Sequence, residues 1–418
     1  MAAVGVVPVR SSTTGADHAS LSSADDPHHL PGWDELAASG SFYVSADWLA
    51  YADVVGVPGR YHLAHRPDGV SAAVSAHWSP RESPEYDARA VLGDAGAITQ
   101  EASARADPTP EGTSRQRNAP VLTLGGRRGF RSGLLLGGPP AEAAGLIPAL
   151  VDRAVAEVPA TGGRWWWPYL TFPEARRLAG ALRESGRAPD VHHLGADCVV
   201  DVVGTGPEDQ AASLPLRQRR TNLRREIRRF ADSGLRLRRV DLTTEADRLA
   251  PLLAQVQHKY GHDQSVAELA ELLRRQGERL GEHAVTLVCT DGSRTIGFSL
   301  SYRWGDELAV RVVGLDYQGL TGAEEYAHLL FHGPLAHCHE LGLRRLHLGT
   351  DSWAAKCRRG ARLRPLWAVT SEGLLPEVRR SHRLATLRDH LPRHEFDHLR
   401  AEVHSCLDLL DHDPSGAP

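Results

Sequence analysis

Apolar residues recur along this chain at two spacings, every second position in short runs and every third or fourth in longer ones, and the alternation between them predicts its elements. In the first half the pattern predicts a helix over 45–55, strands over 60–65, 70–77, 120–124 and 130–136, and a helix over 141–158. The run Arg164-Trp165-Trp166-Trp167-Pro168-Tyr169 reads as a buried strand, followed by a helix over 173–185 and a strand over 197–203. In the second half a strand over 235–240 precedes helices over 244–260 and 266–280 and strands over 285–290, 295–302 and 308–314. Asp291-Gly292 supplies the hairpin turn between the first two of those three strands. A long helix over 323–341, a strand over 345–349, a short helix carrying Lys356 and a strand over 362–369 complete the series.

Both halves therefore run as helices, an antiparallel meander, a helix, a strand, a helix and a strand. Two successive copies of one α/β unit are the economical expectation, even though the copies show no visible sequence similarity. Aperiodic polar stretches set the limits: 1–38 and 405–418 are expected as disordered tails and 93–118 as a mobile loop. The units then span 39–204 and 205–404, the second led by a basic helix. A length of 418 residues fits two domains better than one core.

Composition narrows the class. With 41% hydrophobic and 24% charged residues the chain reads as globular, and it lacks both a secretory h-region and an apolar stretch long enough to span a membrane, so a cytoplasmic protein is expected. Five cysteines without CxxC spacing indicate neither a disulfide framework nor a zinc site. The pairs His192-His193 and His258/His262 do not by themselves make a metal site.

The basic residues change the picture more. Of 48 lysines and arginines only Lys259 and Lys356 are lysine, so those two are candidates for places where a compact ammonium differs from a rigid guanidinium fork, the plain alternative being chance retention on exposed helix positions. The net charge of −4 also hides a basic segment, 216–240, with ten arginines against Glu226 and Asp232. At helical spacing Leu216, Leu223, Ile227 and Phe230 fall on one side, and Arg217, Arg224 and Arg228 share the adjoining face. Guanidinium clusters match phosphate oxygens, so Arg217, Arg220, Arg224 and Arg228, with Arg359 and Tyr260, are candidate phosphate- and substrate-binding residues. A coenzyme A pyrophosphate, a nucleotide sugar and the acceptor end of a tRNA all fit that chemistry. An RNA-binding module built on this helix would want interleaved aromatics, which it lacks.

The order of elements, the run LRQRRTNLRREIRRF, and Leu343-Arg344-Arg345-Leu346-His347-Leu348-Gly349 followed by Lys356 and Arg359-Gly360 resemble the FemAB/FemX-like branch of the GNAT acyltransferases. The resemblance covers roughly 213–371 well and the first half by element order alone. It implies two tandem GNAT-like domains, each a mixed, mainly antiparallel sheet flanked by helices, forming one cleft. It further implies a donor such as aminoacyl-tRNA or acyl-CoA, no resident cofactor, and an amine acceptor in cell-wall or antibiotic and other specialised metabolism. Lys356 occupies the place of the lysine that holds charge developing on the reacting carbonyl.

One departure bears on the donor. A GNAT domain that uses acetyl-CoA carries a glycine-rich turn whose N–H groups cradle pyrophosphate, whereas Gly314 to Ala323 has the wrong spacing and adds Asp316. A bulkier acyl donor is expected. Amide formation also needs a proton acceptor, for which Asp316, His328 and Asp351 are the candidates, Asp351 equally suiting a helix N-cap. The expected activity is acyl or aminoacyl transfer to a small amine. The alternative is a GNAT-fold component of a specialised-metabolite pathway without acetyltransferase activity, working with a partner subunit or on a carrier-protein-bound substrate.

Overall fold

Period-two runs rich in small and branched residues become strands, because alternate side chains reach opposite faces of one sheet and both faces are covered by helices. The computed structural model describes residues 7–8, 19–78, 86–93, 120–374, 380–381 and 383–412; apart from Gly93, the loop expected over 93–118 lies outside them. In the first half the strands are β1 (Val7–Pro8), β2 (Ser20–Ala24), β3 (Arg60–His65), β4 (Ser71–His77), β5 (Leu122–Leu124), β6 (Leu135–Gly137), β7 (Trp165–Leu170) and β8 (Asp190–Asp201). The second half adds β9 (Arg236–Val240), β10 (Ala284–Asp291), β11 (Arg294–Trp304), β12 (Glu307–Leu315), β13 (Arg345–His347) and β14 (Arg362–Thr370).

All fourteen belong to one sheet, in the order β1-β2-β3-β4-β5-β7-β14-β8-β13-β12-β11-β10-β9, with β6 alongside β4. Most pairings are antiparallel; β5–β7 and β12–β13 are parallel. The two α/β halves are present, yet their last strands are exchanged. β14, from the second half, lies between β7 and β8, and β8, from the first half, pairs with β13. The halves expected at 39–204 and 205–404 therefore share one sheet rather than owning one each.

Helices cover the faces. Leu242–Lys259 packs on β12 so closely that a Cβ on Gly314 would lie 2.9 Å from the Leu253 backbone nitrogen, which only glycine avoids. The halves also meet through side chains: Phe42 stacks on Tyr302 with centroids 4.6 Å apart, Trp304 Nε1 donates to the Ala37 carbonyl at 3.0 Å, and His283 lies 3.0 Å from Asp47. Two-residue closure between Asp291 and Arg294, with Gly292 at φ +56°, forms the expected hairpin.

Several expectations need correction. Within the tail expected over 1–38, β2 pairs with β3 and a short helix, Trp33–Ala37, buries Trp33 and Leu36. At the other end the helix Arg393–Asp411 continues through the first half of the tail expected at 405–418 and buries Cys406 and Leu410. Neither shows in local periodicity, because each is held by partners far away in the chain. The helix over 323–341 is interrupted by a π turn at His328–His332, immediately before Pro334, whose missing N–H cannot bond back into a regular α ladder.

The exchange makes the halves one cooperative unit. Trp367 of β14 is fully buried between β7 and β8, against Phe172 and His193. Replacing it with alanine is expected to cost about 3–5 kcal/mol. Denaturant unfolding, followed by tryptophan fluorescence and by far-UV circular dichroism, should show coincident single transitions in both proteins, and separate transitions for the two halves would contradict the exchange.

Candidate functional site

β12 and β13 run parallel but pair over only three residues each, Glu307 to Ala309 against Arg345 to His347. Beyond that point they part, and residues 310–315 of β12 have no partner on that side among the described strands. The gap opens into a cleft of about 440 Å³ bordered by both halves. Ser41, Phe42, Tyr43 and Arg131 come from the first half, Tyr260, Tyr326, Asp351 and Lys356 from the second.

Its floor is a row of charges on three adjacent strands. His347, at the end of β13, places Nδ1 2.7 Å from Asp197 of β8 and Nε2 2.9 Å from Glu307 of β12. Burial opposes a charged ring, but Asp197 and Glu307 outweigh it and hold the His347 pKa above the ordinary histidine value. Burial likewise pushes Glu307 up, while His347, with Arg131 and Arg345, brings it down to about 2. The result is an imidazolium between two carboxylates that pins the strands at the point where they begin to separate. Arg131 stands 4.0 Å from Asp197, and Arg311 projects from a β-bulge in β12 against the rings of Tyr43 and Trp48.

Lys356 sits on the opposite wall. The turn after β13 passes through Gly349 at φ +78° and Ser352 at φ +53°, and then starts the short helix Trp353–Arg358. That path directs the Lys356 ammonium to within 3.5 Å of the Gly349 carbonyl. It is only 5% exposed, so it borders the cleft as a buried side chain held against the Gly349 carbonyl. Lys259, by contrast, is exposed over the Tyr317 ring.

The structure brings part of the expected set together. Lys356, Asp351 and Tyr260 border the cleft. Asp316 does not: it is ion-paired with Arg294 and takes the Gln318 N–H at 3.2 Å. Nor does His328, which stacks on Phe230 at 3.9 Å; burial, with His332 beside it, lowers its pKa to about 4. Arg359 is turned away into a two-bond pair with Glu226 of the basic helix. That helix, Arg217–Asp232, lies outside the cleft. Arg220 donates to the Leu214 carbonyl at 2.6 Å, Arg224 pairs with Glu208, and Arg217 and Arg228 are exposed.

Sequence reasoning missed Asp197, Glu307, Arg311, Arg131 and the role of His347. Two carry a signal in retrospect: Asp197 stands inside the apolar run GADCVV and His347 inside LHLG, and a charge in a buried run needs a partner. Among the described residues no group of three or more His, Cys, Asp or Glu is arranged to hold a metal ion, and no helix is long and apolar enough to cross a membrane.

The His347 cluster makes a signed pH prediction. Stability from a raised histidine pKa is complete below about 6.5 and is lost as pH climbs through the folded value; stability from Glu307 is present above about 4.5 and is lost as pH falls toward about 2. His347→Gln should lower stability by about 3 kcal/mol near neutral pH and remove this contribution to the alkaline decline in Tm. Calorimetric Tm–pH profiles check this; identical alkaline slopes in the two proteins would count against it.

Residues 217–356 match the family model described as an acetyltransferase (GNAT) domain. Among solved structures the fold is similar to that of FemX, at 11% identity and a TM-score of 0.54, covering 81% of this chain and 94% of that one. It is also similar to a conserved protein of unknown function from Bacteroides thetaiotaomicron, at 12% identity and a TM-score of 0.50, covering 81% and 96%. No curated protein matches the chain by sequence. Residues 217–356 thus match a GNAT domain, set in an overall fold similar to that of FemX.

Proposed function

We propose that the cleft transfers an acyl or aminoacyl group from a large activated donor to the amine of a small molecule or of a cell-wall or natural-product precursor. The observation that carries this reading is the splayed strand pair with Lys356 buried beside the turn that follows β13. An unpartnered strand offers backbone N–H and C=O groups to an extended, amide-bearing chain, and a buried ammonium beside it suits a carbonyl oxygen that gains negative charge. The amine nitrogen attacks the carbonyl carbon. The new C–N bond forms, the ester or thioester bond breaks, and the alcohol or thiol departs with its electron pair. Asp351, bordering the cleft in the turn that leads into the Lys356 helix, takes the amine proton. Asp197 and Glu307 are committed to His347 and do not serve as that base.

Support for a donor other than acetyl-CoA comes from residues 316–325, where carboxylates occupy N–H groups that a pyrophosphate would need. Asp316 takes Gln318 N–H, and Glu325, itself buried, takes Thr321 N–H at 2.6 Å. A cradle already filled by acid repels phosphate. The exposed Arg217 and Arg228 lie on the outer face of the basic helix, which suits a large phosphate-rich donor such as aminoacyl-tRNA better than a small one.

Full-length protein supplied with a mixed aminoacyl-tRNA pool or an acyl-CoA series, together with an amine panel, should form an amide detectable by mass spectrometry. No amide from any donor would overturn the transfer reading, and sub-micromolar acetyl-CoA binding by calorimetry would overturn the donor assignment. Lys356→Ala should lower turnover at least about a hundredfold. Lys356→Arg is expected not to restore it, because the enclosed site fits a point charge rather than a planar fork; near-normal turnover with arginine would reduce the role to generic charge. Arg217→Ala combined with Arg228→Ala should weaken tRNA binding and flatten its salt dependence, and an unchanged slope would leave the helix a solvated face.

A further inference from the structure

The transfer step uses Lys356 and Asp351 but leaves two guanidiniums on the cleft floor unexplained. Arg131 enters from the loop before β6. Its nearest carboxylate oxygen, on Asp197, is 4.0 Å away, beyond hydrogen-bonding distance, and its buried Nε has no hydrogen-bond partner in the protein. Arg311 is the residue skipped where Leu300 faces Val312 and Ser301 faces Val310, so the bulge turns it out of the ladder. Its guanidinium lies 5.5 Å from the Tyr43 ring centre and 5.1 Å from that of Trp48, with the Tyr86 side chain beside it. Aromatic walls fix the plane of that fork and supply no counter-charge.

The charge balance says what is wanted there. A neutral His347 would turn one nitrogen lone pair toward a carboxylate, so the ring is an imidazolium. Arg131, Arg311 and His347 then stand against Asp197 and Glu307, with Arg345 also 2.7 Å from Glu307, so positive charge is in excess on the floor. An anion meets that charge. A single carboxylate brings less repulsion from Asp197 and Glu307 than a phosphate dianion. Two guanidiniums lining the same cleft also suit the planar geometry of a carboxylate.

Strand β8 ties this floor to Lys356. Asp197 is followed on β8 by Cys198, whose N–H donates to the Gly349 carbonyl at 3.1 Å, and that same carbonyl is the one Lys356 approaches. Adjacent residues of β8 thus connect the Arg131 end of the cleft with the Lys356 end. We propose that Arg131 and Arg311 seat a carboxylate of the acceptor, so that the amine acylated here belongs to a free amino acid or a short peptide rather than to a simple amine. This rests on the transfer reading for the fate of the amine, whereas the seat itself can be tested without a donor.

The test is calorimetric titration of the full-length protein, donor absent, with the standard amino acids and glycine-containing dipeptides. Each ligand that binds is compared with its amide, its amino alcohol and its aminophosphonate. At least one acid should bind, with its amide and alcohol about tenfold or more weaker. Arg131→Gln should abolish the preference for acid over amide, and Arg311→Lys should weaken the acid while circular dichroism reports the folded state of each variant. Equal binding of acid, amide and alcohol overturns the seat, as does tighter binding of the phosphonate, or no binding of any acid at millimolar concentration. If the seat holds and no donor yields an amide, the transfer reading fails alone; if amides and simple amines are acylated as well as acids, the seat fails alone.

Discussion

Strand β8 is hydrogen-bonded to β14 on one edge and to β13 on the other, and this double pairing is the constraint on which the remaining architecture rests. Without β14 between them, β7 and β8 would have to pair with each other, and the two halves would present separate edges. With it, the second half completes the sheet of the first and the first half supplies the neighbour of β13. The exchange also fixes where the cleft lies. β13 is held on its β8 side along its whole length, so β12 is the strand that departs, and the opening falls between them.

Electrostatics then determine what that opening contains. Five charged groups crowd the junction of β8, β12 and β13, where desolvation would oppose each of them alone. They persist because the imidazolium of His347 lies within ion-pair distance of two carboxylates at once, with Arg345 also 2.7 Å from Glu307. The arrangement fixes the strand junction and leaves the guanidiniums of Arg131 and Arg311 free of close carboxylate pairs. A fixed cluster next to a widening gap is a preorganised field, since its members need not move when a charged ligand enters. Lys356 contributes on the other side, carried by a helix whose first residue follows a strained left-handed serine.

Much of the secondary structure was legible. Val266–Leu280 begins at a Ser265 capping box and ends where its apolar stripe ends, and Arg60–His65 alternates as a strand should, so local pattern and tertiary demand agree there. Disagreement arises where distant partners make the element. Ser20–Ala24 has little apolar character and is a strand because β3 offers it an edge. The split of the long helix at His328–His332 follows from Pro334, a residue visible in the sequence whose consequence is a π turn instead of a stop.

For the candidate site the boundary between sequence and structure is equally physical. By itself the sequence determined that the chain is α/β, that its two halves run through the same series of elements, and that one of its two lysines follows a short strand on a turn. Those properties depend on neighbours in the chain, through periodicity, caps and composition. Tertiary structure alone decided that the last strands cross over, that Asp316 and His328 are spent on Arg294 and Phe230, and that Asp197, Glu307 and His347 meet. The reason is distance along the chain: Asp197 and His347 are 150 positions apart, and nothing local to either records the register that sets them side by side.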